Sequence, residues 1–160
     1  MAPKGWWPPT PSAGGVRDTR REMSEESTTP DLVELTHRSV EALNRRDFDA
    51  VESSFAPDAI YRGTEIGTFE GARAIRGLVE DFLSSYEEFE AEREEISEIG
   101  NGVIFAMTIF KGRLVGGRGQ LQFRFPSVTV WTEGLIERQT DYIDIDAARA
   151  AAERLAQERG

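Results

Sequence analysis

Near the end of the chain the stretch RQTDYID, residues 138–144, sets Gln139 and Asp141 two positions apart, an amide and a carboxylate spaced to share one face of a strand. Thr140 and Tyr142 then take the opposite face. A carboxylate turned into an apolar cavity is a candidate general acid or base, because lost solvation raises its proton affinity toward neutrality. Three roles are open to Asp141: acid or base, a structural or ligand-orienting carboxylate paired with a cation such as Arg113 or Arg124, and a plain surface charge. Tyr61 and Trp131 each join an aromatic body to one polar atom, which suits the wall or rim of a pocket.

Other chemistries are excluded by what the chain lacks. It has no cysteine and a single histidine, so disulfides, thiolate metal sites, histidine zinc sites and a Ser-His-Asp triad are not expected. The acidic run EEFEAEREE alternates faces and has no organising glycine, unlike a calcium loop. The GGRG loop is followed by a strand pattern rather than the helix a phosphate cradle requires. Neither a metal nor a cofactor is therefore expected. The net charge is −10, and residues 1–22 are themselves basic by two charges, which leaves the remainder near −12. Such a domain repels phosphate backbones, so nucleic acid is not an expected partner. No apolar run approaches the ~20 residues of a membrane helix, and no secretory hydrophobic core is readable. No membrane partner and a cytoplasmic location are the expectation.

The elements that must position Asp141 are readable from periodicity. Residues 1–30, rich in Pro, Gly, Ser and Thr, predict a disordered tail; residues 31–160 predict one domain. Leu32, Leu35, Ser39, Val40 and Leu43 share a helical face, and Asp47 caps a short second helix carrying Phe48, Val51 and Phe55. A glycine-marked hairpin follows. Ile75, Leu78, Val79, Phe82, Leu83 and Tyr86 then keep helical spacing over three turns, which predicts a buried face. Strand patterns occupy the rest, with Asn101-Gly102 as a tight hairpin and Pro126 read as a bulge where the apolar parity shifts. A final alanine-rich helix is capped by Asp144 or Asp146. Helices gathered ahead of a four-strand meander predict an α+β domain with its helices on one face of a curved sheet.

Three segments, EALNRRDFDAVESSFAPDAIYRG, FEGARAIRGLVEDFL and VTVWTEGLIERQTDYID, resemble the SnoaL-like branch of the nuclear transport factor 2-like superfamily over residues 31–147. The resemblance implies an α+β cone, a bent antiparallel or mixed sheet wrapped around helices with a pocket at the open end. It also implies homodimers packed through the outer sheet face. Activities in that superfamily include ketosteroid isomerase, polyketide cyclase and limonene epoxide hydrolase, alongside binding without chemistry. Matched to ketosteroid isomerases, Ser39, Gly63 and Ser127 stand where a tyrosine, a base and an oxyanion aspartate belong, which argues against that activity. Matched to limonene epoxide hydrolases, Asp141 stands for one aspartate, but Met107 and Ile109 replace the arginine–aspartate pair. Polyketide cyclases need little more than one pocket aspartate.

The expectation is a cofactor-independent domain that binds a small, mostly apolar organic molecule. Asp141 is the candidate acid or base for proton transfer, cyclisation or hydration. Tyr61, Phe105, Met107, Trp131, Gln139, Ser39 and Ser127 are the candidate ligand-binding side chains. The alternative is a non-catalytic ligand-binding or dimerisation module.

Overall fold

Two helices open residues 31–160, the part of the chain that the computed structural model describes: α1 (Leu32–Asn44) and α2 (Phe48–Ser53). The tail expected for residues 1–30 lies outside the described residues. Asp47 starts α2 by accepting the Ala50 amide at 3.1 Å, which supplies one of the partners a helix N-terminus lacks. Arg46 occupies the left-handed region (φ 55°) between the helices. Its guanidinium donates to the carbonyls of Leu83 and Tyr86 at 2.9 and 3.0 Å, tying this corner to the end of a later helix.

Strands β1 (Phe55–Gly63) and β2 (Gly67–Glu70) form the hairpin, and α3 (Ala72–Ser84) follows. The meander is β3 (Tyr86–Gly100), β4 (Val103–Leu114), β5 (Leu121–Thr132) and β6 (Leu135–Asp141), and α4 (Ile145–Arg159) ends the chain. Asn101 and Gly102 both have positive φ, the mirror-image turn that matches strand twist in a two-residue hairpin. The six strands make one curved, unclosed mixed sheet in the order β2-β1-β6-β5-β4-β3. All pairs are antiparallel except β1 with β6, which run parallel, a pairing allowed by the long connection through β2, α3 and β3–β5.

Both faces of this sheet are covered, which corrects the expectation of helices on one side. On the inner face, Ile104, Trp131 and Ile136 pack with Leu32 and Leu35 of α1. On the outer face, Val103, Phe105, Met107, Val128 and Val130 are buried beneath Ala148, Ala152 and Ala156 of α4, and Tyr142 packs against the same cluster. Alanine side chains let that helix lie close on the strands. Asp144 caps it, accepting the Ala147 amide at 2.9 Å.

Pro126 does not make a bulge. It pairs with Met107 in unbroken β4–β5 register, and the irregularity falls instead between Val130 and Trp131 on the β6 side. The Pro126 carbonyl accepts the Tyr142 amide, so its missing N–H faces Tyr142, just past the end of β6, rather than the β4 ladder. The apparent parity shift in β5 marks where α4 begins to cover the outer face. Phe123 and Phe125 point inward above it; Val128 and Val130 point outward below it. Helix α3 also differs from expectation. Ile75 and Leu83 are buried, but Leu78, Val79 and Phe82 are only partly so, because they border open volume.

Candidate functional site

Between the inner sheet face and α1–α3 lies a cavity of about 300 Å³, at the lower end of the usual range for small-molecule sites. One wall is aromatic. Phe82, Phe110, Phe123 and Phe125 form a chain of ring contacts, Phe110 meeting Phe82, Phe123 and Phe125 at 5.6, 5.3 and 4.9 Å between centroids. Phe123 is 41% exposed, as is fitting for a rim, and Ile66 on the β1–β2 turn is 52% exposed beside it in the lining.

The polar groups collect at another part of the lining. Strand β6 turns Gln139 and Asp141 inward, and Tyr61 of β1 sits in register with Gln139 on the parallel neighbour. The Tyr61 hydroxyl donates to Asp141 Oδ2, and Gln139 Nε2 makes a longer contact of 3.4 Å with Oδ1. Arg93 reaches the same cavity from β3, with Nη1 donating to Thr108 Oγ1 at 2.6 Å. Asp141 and Arg93 keep some accessible area because they face the cavity, but protein encloses them otherwise.

That enclosure governs their ionisation. Burial pushes the Asp141 carboxyl up to about 6, against the opposing pull of the Tyr61 and Gln139 donors and the Arg93 charge. Burial likewise lowers Arg93 to about 10, with Asp141 acting the other way, so the guanidinium remains charged at neutral pH. The Tyr61 phenol is driven upward by burial and then by the Asp141 carboxylate, and it acts as a hydrogen-bond donor. A carboxyl that releases and regains a proton near neutrality, held by two donors in an apolar cavity, has what a general acid or base needs.

Of the side chains singled out in the sequence, Asp141, Gln139, Tyr61 and Ser39 line this cavity, the Ser39 hydroxyl donating back to the Thr36 carbonyl at 2.8 Å. Four do not. Phe105 and Met107 project from the other face of β4 into the cluster beneath α4, and Arg149 of that helix lies 4.2 Å above the Phe105 ring. Trp131 is buried by the Asn101–Gly102 turn, its amide bonded to the Gly102 carbonyl, and packs against Ile104 and Ile136 short of the cavity. Ser127 lies directly opposite Asp141 in the β5–β6 register, but its short side chain is fully buried and does not reach the cavity lining. Arg113 and Arg124 pair with Glu87, Glu88 and Glu94 rather than with Asp141.

The residues missed were Arg93, Thr108 and most of the aromatic wall. Arg93 carried a usable signal, since Phe89, Ala91 and Arg93 share one parity in β3 while the glutamates on either side take the other.

The family model described as a SnoaL-like domain matches residues 36–139. This chain belongs to the SnoaL-like domain family. The match stops two residues short of Asp141. No curated protein sequence matches the chain. Among solved structures, this SnoaL-like domain is similar to a nuclear transport factor 2-like protein of unknown function from Burkholderia pseudomallei (21% identity, TM-score 0.64, covering 80% of this chain and 98% of that one). An epoxide hydrolase of the limonene type from Mycobacterium tuberculosis is similar at 18% identity and TM-score 0.60, over 78% of this chain and 90% of that one. A protein assigned as a polyketide cyclase from Xanthomonas campestris is similar at 17% identity and TM-score 0.58, over 75% and 95%. At these identities the likeness concerns the fold, which hosts several chemistries.

Proposed function

We propose that this SnoaL-like domain binds a small, mostly apolar organic molecule and moves a proton on it with Asp141 as acid or base. One observation carries the reading: the one carboxyl group that lines the cavity among the described residues is held by Tyr61 and Gln139 in surroundings that raise its pKa to about 6. As base, the ionised Asp141 takes a proton from the carbon beside a ligand carbonyl; the electron pair of that C–H bond forms a carbon–carbon double bond, and the carbonyl π pair moves onto oxygen as an enolate. As acid, it returns the proton at another position or to an oxygen. Gln139 and Tyr61 orient the carboxyl, and the Phe82–Phe110–Phe125 wall receives the apolar body. The polyketide cyclase and epoxide hydrolase among the structural neighbours support the reading of a ligand-binding domain.

Binding without chemistry is the second reading. It is favoured by the donors on both Asp141 oxygens, an arrangement that also suits a carboxylate that only orients a ligand. The two separate by hydrogen–deuterium exchange on a panel of bicyclic ketones in D2O. Catalysed exchange that falls by ~10² or more in Asp141→Asn supports the acid–base role. Ketone binding with no exchange assigns the domain to binding alone.

A homodimer accompanies this proposal. Its contact would use the outer face of the sheet, and sedimentation at micromolar concentration measures it. A cytoplasmic location and a single domain over residues 31–160 remain part of the proposal. No helix among the described residues is long and apolar enough to cross a membrane.

A further inference from the structure

Arg93 is a cation without a carboxylate in a strand full of them. Strand β3 carries seven glutamates, yet those nearest Arg93 are engaged elsewhere: Glu92 with Lys111, Glu94 with Arg124, and Glu95 with Arg149. Strand alternation and the bulge between Arg93 and Glu95 turn them from the cavity and leave the guanidinium facing it, opposite Thr108. Arg93 donates to the neutral Thr108 hydroxyl, and its Nε is fully enclosed with no acceptor. Among the described residues, Asp141 is the one carboxylate lining the same cavity. It lies beyond ion-pair distance of Arg93, and its oxygens are occupied by Tyr61 and Gln139. A buried charge is costly unless it is paired and hydrogen-bonded, and guanidinium geometry matches the two oxygens of a carboxylate.

We propose that Arg93 forms an anion subsite, so that the cavity prefers a compact aromatic organic acid to its neutral counterpart. The acid group, a carboxylate or an acidic enol, lies on the open edge of the guanidinium. The ring system lies against Phe110 and Phe125. The inference rests on the reading of this cavity as a small-molecule site.

Proton linkage follows from the charges facing the cavity. Tyr61 from β1, Arg93 from β3 and Asp141 from β6 are its ionisable lining groups, while α1, α2 and α3 contribute only uncharged side chains. Without ligand, Arg93 and the ionised Asp141 offset each other. An incoming anion competes for Arg93 and leaves excess negative charge, so Asp141 takes up a proton as the anion binds.

Titration calorimetry at pH 7.5 with 2-naphthoate and with 2-naphthalenemethanol tests this on the full chain. The expected result is that naphthoate binds at least tenfold more tightly, with proton uptake revealed by different heats in phosphate and Tris buffers. Asp141→Asn should bind naphthoate without that uptake. Arg93→Gln, checked for folding by circular dichroism, should remove the preference; the wild-type comparison stands even if this variant does not fold. Equal or tighter binding of the alcohol by the wild type overturns the anion subsite and leaves the small-molecule reading intact, as does a preference that survives in folded Arg93→Gln. Binding of neither probe overturns both.

Discussion

Replacing Asp141 with asparagine should make the domain more stable at pH 7.5 and change little at pH 4. The native carboxyl holds its proton up to about pH 6, whereas the ordinary value is 3.8. Between those values the folded state binds more protons than the unfolded state, so stability falls as pH rises. The contribution is fully present below about 3.8 and lost as the pH passes 6. A displacement of about two pH units at ~1.4 kcal/mol each gives a cost of roughly 3 kcal/mol at neutral pH. Asparagine retains an oxygen for the Tyr61 hydroxyl and carries no charge to desolvate. It also removes the carboxylate near Arg93, which reduces the net gain to about 1–3 kcal/mol. Urea unfolding of both proteins at pH 4, 5, 6 and 7.5 measures the difference, which should grow across that interval. A difference that stays flat within ~0.5 kcal/mol would refute the placement of an ionised Asp141 in a poorly solvated cavity.

Tyr61→Phe removes a hydrogen bond that stabilises the ionised carboxyl, so the carbon-13 titration midpoint of Asp141 should rise above that of the wild type; an unchanged midpoint would show that the bond contributes nothing. Phe105→Ala should cost roughly 3–5 kcal/mol in denaturant unfolding, and Phe82→Ala clearly less, because Phe105 is fully buried while Phe82 borders the cavity. Equal losses at the two positions would contradict that placement. Asp47→Ala should cost about 1 kcal/mol through loss of the cap on α2, and no measurable loss would show that water replaces the carboxylate there.

The two halves of the site were unequally legible. Gln139 and Asp141 could be assigned a common face because β6 is short and its alternation is plain. Tyr61 stands out for its chemistry, but its bond to Asp141 depends on the parallel pairing of β1 with β6, which brings together residues 80 positions apart in sequence. Phe105 and Met107, candidates for the cavity from the sequence, face α4 instead. Residues Val103–Phe110 are apolar at every position but Thr108, so alternation says nothing about which set faces inward. Arg93 was absorbed into a run of surface charge, although it alone among the charged side chains of β3 lines the cavity.

What the sequence determined by itself was local. Helical periodicity placed α1, α3 and α4, Asn101-Gly102 placed a hairpin, the order of elements sufficed for an α+β domain, and three segments carried the SnoaL-like resemblance that implied the cone. Tertiary structure decided which face of each central strand meets the cavity and which meets α4. It also decided that Tyr61, Arg93 and Asp141, from three different strands, share one cavity. The physical reason is that hydrophobic alternation identifies a buried face only when the other face meets water. Here α4 dries the outer face, so only packing and strand register distinguish the two sides.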